Sequence, residues 1–84
     1  MTENWQSTGT SLTRSWSFSN FSEAWAFASR VALVAEKSNH HPQITVEWGK
    51  VTVTTTTHDA GHTVTDKDEK LVEALDALTQ NTGY

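Results

Sequence analysis

The chain has 84 residues, no cysteine, and six Lys and Arg against ten Asp and Glu, so its formal charge is −4. This length allows one small domain, residues 1–84, and the lack of cysteine excludes disulfides and thiolate metal ligands. Because the basic residues are scattered singly, the composition also argues against direct binding of nucleic acid.

The first predicted elements are two short strands. Residues 12–18 alternate large apolar side chains with small hydroxyls, which is typical of a half-buried strand. Gly9 lies just before this stretch, so residues 5–8 are predicted to form its hairpin partner.

A helix is predicted next, with clear signals at both ends. Asn20 followed three positions later by Glu23 is typical of a helix start, and an apolar stripe at three-to-four spacing continues to about Ser38. Pro42 disfavours helical backbone at the residue before it, so the helix should be over by His40.

A second hairpin follows, in which apolar residues alternate with polar ones. Gly49-Lys50 is predicted to be its two-residue turn. The register that results pairs Trp48 with Val51, Val46 with Val53 and Ile44 with Thr55. Extended to the strand ends, the same register places His41 across from His58, on the polar face. The run of threonines at 54–57 is interpreted as the continuation of the second strand, because threonine suits a pleated surface.

The last predicted element is a helix that begins after Thr65. Asp68 lies three residues beyond this capping hydroxyl, and apolar residues recur from Leu71 to Leu78. The order strand, strand, helix, strand, strand, helix predicts a two-layer α+β domain, with a four-stranded antiparallel sheet and the helices packed on one face. A domain this small has a modest core, so we expect a homo-oligomer, either a dimer or a tetramer.

The chain should act in the cytoplasm and away from membranes. Its longest apolar run, residues 31–35, is far shorter than the roughly 20 residues that span a bilayer. An export signal would require basic and then apolar residues at the start, and the first residues here are neither.

Histidines are the residues that suggest chemistry. The predicted hairpin gathers His40, His41 and His58, and Glu36 lies one helical turn before His40. Because histidine titrates near neutral pH, such a pocket suits either acid–base catalysis or simple ligand binding. There is no nucleophile elbow and no glycine-rich phosphate loop, so covalent catalysis and nucleotide chemistry are disfavoured.

Two alternatives concern the same region. His58 and His62 have an interval found among zinc ligands, but Gly61 disfavours the helix that would align them, and we predict neither a metal nor another cofactor. Asp68 is explained more simply as the third-position carboxylate of a helix cap than as a site residue.

The spacing of these residues resembles a known signature. The pattern is Glu36-x-x-x-His40-His41-Pro42, five residues, Trp48, nine residues, His58, nine residues and Asp68. It is similar to the signature of the pterin-4a-carbinolamine dehydratases, and the similarity extends over about residues 5–78. The resemblance implies a hydro-lyase that dehydrates 4a-hydroxytetrahydropterin to quinonoid dihydropterin and so recycles the pterin cofactor.

The resemblance also implies roles for individual residues. His40 and His58 would be the acid–base pair at the 4a-hydroxyl, and His41 would position the pterin and share in proton transfer. Glu36 would orient His40 or meet the pterin ring. The remaining substrate-binding positions implied are Asn39, where some members carry a carboxylate, the backbone of Thr56 and Thr57, and Asp68.

A second function is known for this fold. Members act as a dimerisation partner of a homeodomain transcription factor, and a pterin-dehydratase-like protein assists RuBisCO assembly in carboxysomes. The alternative prediction is therefore a non-catalytic scaffold with a protein client. The three histidines favour the enzyme, although one chain can serve both roles.

Overall fold

Four antiparallel strands and two helices make up the fold, as described by a computed structural model for residues 4–57, 60–61 and 63–82. In chain order the elements are β1 (Gln6–Ser7), β2 (Leu12–Ser17), α1 (Phe21–Ser38), β3 (Gln43–Glu47), β4 (Lys50–Thr55) and α2 (Asp66–Thr82). The strands lie in the order β1-β2-β4-β3. The predicted α+β class, element order and antiparallel sheet are confirmed.

One face of the sheet carries the core. Alternate residues of β2 and β4 project to this face, where both helices bury their apolar sides. Phe27 of α1 is fully buried, with its ring centroid 4.9 Å from that of Trp16 and 5.3 Å from that of Phe18. Full burial of such a side chain stabilises the fold by roughly 1.5–3 kcal/mol.

The opposite face of the sheet is lined with hydroxyls. Thr13 and Thr54 lie 2.8 Å apart through their side-chain oxygens, and Ser15 and Thr52 lie 2.9 Å apart. These pairs join neighbouring positions of β2 and β4, which the register places side by side. Part of the serine and threonine content is thus explained by cross-strand contacts on the polar face.

The predicted register of the second hairpin is wrong by two residues. Val46 pairs with Val51 and Glu47 with Lys50, so the turn is Trp48-Gly49 and not Gly49-Lys50. Gly49 is held there by the chain end of β2: its carbonyl accepts from the Phe18 amide at 2.8 Å, and an added Cβ would lie 2.8 Å from the Phe18 carbonyl oxygen.

The correction has two consequences for the site. A shift of two keeps every side chain on its predicted face, but it places Trp48 in the turn, where 70% of its surface is exposed. The pairing of His41 with His58 no longer follows from the register, since β3 begins only at Gln43. His58 itself lies outside the described residues.

Polar contacts fix α2 on the sheet. The Asp76 carboxylate accepts from the Arg14 guanidinium at 2.7 Å and from the Trp5 indole at 2.9 Å, and the Trp16 indole donates to the Thr79 hydroxyl at 3.0 Å. These contacts orient the helix whose first turn carries Asp68. Neither helix of the described part is long and apolar enough to cross a membrane.

Candidate functional site

The C-terminal end of α1 determines where His40 lies. Asn39 adopts the left-handed conformation, with φ 53° and ψ 39°. Its amide donates to the Glu36 carbonyl at 3.1 Å, and the His40 amide donates to the Ala35 carbonyl at 3.2 Å. This pair of bonds is a Schellman motif, which satisfies the last helical carbonyls and turns the chain sharply. His40 is therefore held by backbone bonds at a helix end, as the sequence predicted.

The His40 ring meets the Asp68 carboxylate from the other helix. Nε2 of His40 lies 2.6 Å from Oδ1 of Asp68. Only 12% of the His40 side chain is exposed, and the Asp68 side chain is fully buried. A carboxylate in this geometry can orient a histidine that acts as a general acid or base.

Asp68 receives four hydrogen bonds, two on each oxygen. Oδ1 accepts from the Thr55 hydroxyl at 2.5 Å as well as from His40, while Oδ2 accepts from the Thr57 hydroxyl at 2.5 Å and from the Thr65 amide at 2.9 Å. A carboxylate has about four lone-pair sites, so all of its acceptor capacity is used. Within the described residues no buried side-chain nitrogen or oxygen lacks a partner.

These bonds keep the carboxyl ionised. Burial by itself would raise the pKa of Asp68, but the hydrogen bonds from Thr55, Thr57, His40 and the Thr65 backbone outweigh it and lower the pKa from 3.8 to about 2. Because an ionised carboxylate only accepts, Nε2 of His40 carries the hydrogen in their shared bond. In the neutral ring Nδ1 is then the nitrogen without a hydrogen, which can accept a hydrogen bond.

Asp68 is both a helix cap and the hydrogen-bond partner of His40. It occupies the third position of α2, and its bond from the Thr65 amide is that of a capping box. The Thr65 hydroxyl completes the cap by accepting from the Lys67 amide at 3.3 Å. The simpler explanation of Asp68 is therefore correct, and the same carboxylate also binds His40.

Glu36 and His41 form a separate pair on the surface. Oε1 of Glu36 lies 2.8 Å from Nε2 of His41, with 78% and 60% of their side chains exposed. Glu36 thus contacts His41, while the carboxylate that orients His40 is Asp68. An exposed pair of this kind contributes little stability, and both side chains are open to solvent.

The remaining residues predicted for the site each have a different environment or lie outside the described residues. Asn39 is exposed and serves as the cap of α1. The Thr56 hydroxyl donates to the Thr10 carbonyl at 2.6 Å, whereas Thr57 is buried and turned toward Asp68. His58 and His62 lie outside the described residues. Within residues 4–57, 60–61 and 63–82, no three His, Asp or Glu side chains are grouped to hold a metal.

Thr55 also binds the Asp68 carboxylate, and this contact was not predicted from the sequence. It lies on the covered face of β4, in the same row as Val51 and Val53, and is fully buried. A signal was present, because a hydroxyl at a core position requires a buried partner. The partner itself, 13 residues further along the chain, follows only from the packing of α2 on the sheet.

Comparison with known proteins identifies relatives over most of the chain. The model of the pterin 4 alpha carbinolamine dehydratase family matches residues 1–78. A protein of Nitrobacter winogradskyi, provisionally named pterin-4-alpha-carbinolamine dehydratase, is 46% identical over 72 residues, which are 86% of this chain and 70% of that protein. A protein of the same name from a Synechococcus species is 45% identical over 74 residues, covering 88% of this chain and 78% of the relative.

Solved structures share the fold. The crystal structure of a transcriptional coactivator/pterin dehydratase from Brucella melitensis has a TM-score of 0.78 at 36% identity, covering 89% of this chain and 81% of that one. A pterin dehydratase-like protein, a RuBisCO assembly factor of the alpha-carboxysome, has a TM-score of 0.67 at 23% identity over 88% and 84% of the two chains. From its match to the family model and its identity to these relatives, the chain belongs to the pterin-4a-carbinolamine dehydratase family.

Proposed function

We propose that this protein is a hydro-lyase that converts 4a-hydroxytetrahydropterin to quinonoid dihydropterin and water. The observation that supports this most directly is the contact between His40 and the ionised, buried Asp68. Family membership supplies the substrate class, and the contact supplies a group suited to proton transfer near neutral pH.

The reaction needs one proton donor and one proton acceptor. The C4a–O bond breaks, and the leaving hydroxide takes a proton to become water. The N5–H bond gives up its proton, and its electron pair forms the N5=C4a double bond. The net change is loss of one water, so no oxidant or metal is consumed. A histidine held by a carboxylate can exchange a proton in either direction at neutral pH.

In this proposal His40 exchanges a proton through Nδ1, and His58 is the second member of the acid–base pair, as the family signature implies. His41 contacts the pterin, in keeping with its exposure and with the Glu36 carboxylate beside it. Asn39 and the backbone at Thr56 are proposed to border the substrate. Asp68 acts through His40, since its own oxygens are fully occupied.

The test is to generate 4a-hydroxytetrahydropterin with an aromatic amino-acid hydroxylase and to follow its decay spectrophotometrically. The wild-type protein should accelerate the decay, and His40→Gln should lower that acceleration by about 10²–10⁴-fold, the usual contribution of a general acid or base. Lys37→Gln, on the exposed last turn of α1, is the matched control and should retain the wild-type rate. A wild-type protein that decays the substrate no faster than buffer would refute the proposal.

We also propose that the chain forms a homo-oligomer, dimer or tetramer. Large apolar side chains stay exposed on this single chain, including Trp25 at 57% and Leu33 at 71%. Sedimentation equilibrium tests this, and a monomer at micromolar concentration would contradict it. The cytoplasmic location stays a prediction, which cell fractionation would test.

A further inference from the structure

We propose that the buried hydroxyl of Thr55 is a positioning group for the dehydration: it fixes the Asp68 carboxylate, which in turn holds His40 in one tautomer and one orientation. The inference rests on the proposed function. It adds a residue of β4 that is not part of the sequence signature. Thr55 acts through Asp68, and we assign it no direct contact with the substrate.

The first step of the argument is the burial of Thr55. Its neighbours in the covered row of β4 are Val51 and Val53, and it pairs across the sheet with Leu12. A valine would fill such a position without needing a partner, whereas a buried hydroxyl costs about 1–3 kcal/mol unless it is hydrogen-bonded. The Thr55 hydroxyl therefore depends on its 2.5 Å bond to Asp68.

The second step is that Thr55 and His40 share one oxygen. Both donate to Oδ1 of Asp68, while Oδ2 is occupied by Thr57 and Thr65. An oxygen of a carboxylate accepts along two lone-pair directions. With Thr55 on one of them, a single direction is left for the His40 ring. Removal of the Thr55 hydroxyl would free the second direction and let the ring and the carboxylate reorient.

The third step concerns the elements that meet at the carboxylate. Thr55 belongs to β4, His40 follows the end of α1, and Asp68 lies in the first turn of α2. The strand is hydrogen-bonded to β3 as far as Thr54 and to β2 as far as Thr55, which pairs with Leu12. The Thr55 hydroxyl thus connects the Asp68 carboxylate directly to the sheet. Of the described residues that are hydrogen-bonded to Asp68, His40 is the one with a titratable side chain.

The experiment compares Thr55→Val with Thr52→Val. Both remove a hydroxyl from β4 and keep the shape of the side chain, but Thr52 lies on the opposite face, against Ser15. Thr55→Val should lower kcat by about tenfold while KM changes less than about twofold, because a bond to a charged group is lost but the substrate contacts are kept. Thr52→Val should retain the wild-type kcat.

Nuclear magnetic resonance supplies a readout that does not depend on turnover. In the wild type, the ring ¹⁵N shifts of neutral His40 should show a single tautomer with hydrogen on Nε2, and Thr55→Val should show a mixture. The pKa of Asp68, followed by its carboxyl ¹³C shift, should rise from about 2 toward its ordinary value. Thr55→Ser should restore both signals and the rate, and Thr55→Ala should not. This second pair differs only in the hydroxyl, so it decides the matter if the valine variant fails to fold.

The outcomes separate the two proposals. An active wild type together with a Thr55→Val variant that keeps kcat, the His40 tautomer and the Asp68 titration would overturn the role of Thr55 alone. A folded wild type without dehydratase activity would overturn the proposed function, and the positioning role with it.

Discussion

Asp68→Asn is the substitution that tests the site most severely. It keeps the size of the side chain but removes the charge and replaces one acceptor oxygen with an amide group that donates. Whichever way the amide turns, its NH₂ faces two of the four donors. The Thr57 hydroxyl can rotate to accept, whereas the Thr65 amide has a fixed hydrogen. The variant therefore removes charge-assisted bonds and leaves a buried donor unpaired or a histidine without its partner.

The magnitude follows from the pKa of Asp68. A pKa lowered from 3.8 to about 2 corresponds to about 2 kcal/mol of stability at neutral pH. An unsatisfied buried donor costs about 1–3 kcal/mol more. Together these terms predict that Asp68→Asn lowers the free energy of unfolding by about 3–5 kcal/mol at pH 7.

The difference in free energy of unfolding between the wild type and Asp68→Asn should shrink as the pH falls. The pKa is lower in the folded state, so the unfolded state binds the proton first, and the stabilisation is complete above the ordinary pKa of 3.8 and is lost as the pH falls toward 2. By about pH 2.5 the wild type has lost most of this contribution, so its free energy of unfolding lies closer to that of Asp68→Asn than it does at neutral pH.

Urea unfolding followed by circular dichroism, at one fixed protein concentration, measures the difference in free energy of unfolding at pH 7 and its change in acid. Asp66→Asn is the matched control, because it removes an exposed acid from the same first turn and should cost only about 0.3–1 kcal/mol through the helix dipole. A gap below 1 kcal/mol at neutral pH, or one that does not change in acid, would refute the four-donor arrangement around the carboxylate.

Substitutions at two further positions test the elements that support the site. Asn39→Gly should leave the free energy of unfolding unchanged or raise it by up to about 1 kcal/mol, because glycine adopts the left-handed conformation without a steric cost; Asn39→Val should lower it by more than about 1 kcal/mol, and equal stabilities in urea would contradict the assigned cap. Phe27→Ala should lower the free energy of unfolding by about 3–5 kcal/mol, since it empties the volume beneath Trp16 and Phe18; in thermal melts, a variant as stable as the wild type would show that this ring is not in the core.

Local signals predicted the helix ends because the forces that fix them are local. The Asn20 side chain accepts from the Glu23 amide at 2.9 Å, a contact three residues apart that a sequence pattern contains in full. The same holds for Asp68 and Thr65 at the start of α2. Alternation along β2 and β4 likewise identified the covered face, since side chains of a strand point to opposite sides in turn.

Contacts between distant parts of the chain account for what the sequence did not reveal. Gly49 fits the turn at either of two positions, and Phe18, 31 residues earlier, decides between them. The bond between His40 and Asp68 spans 28 residues and depends on how α1 and α2 cross the sheet. Thr55 resembles any strand threonine until that carboxylate is brought against it.

The amide of Thr65 lies both at the start of α2 and at the Asp68 carboxylate, so the rate of its hydrogen exchange can be used to follow the site. Its hydrogen is donated to a side-chain carboxylate, so it is released to solvent when Asp68 moves away from the amide. Exchange of this hydrogen for deuterium therefore reports how often the carboxylate leaves its place, in the resting protein and without substrate. A pterin ligand that orders His40 should slow this exchange, while amides in the middle of α2 should exchange only when the helix itself opens.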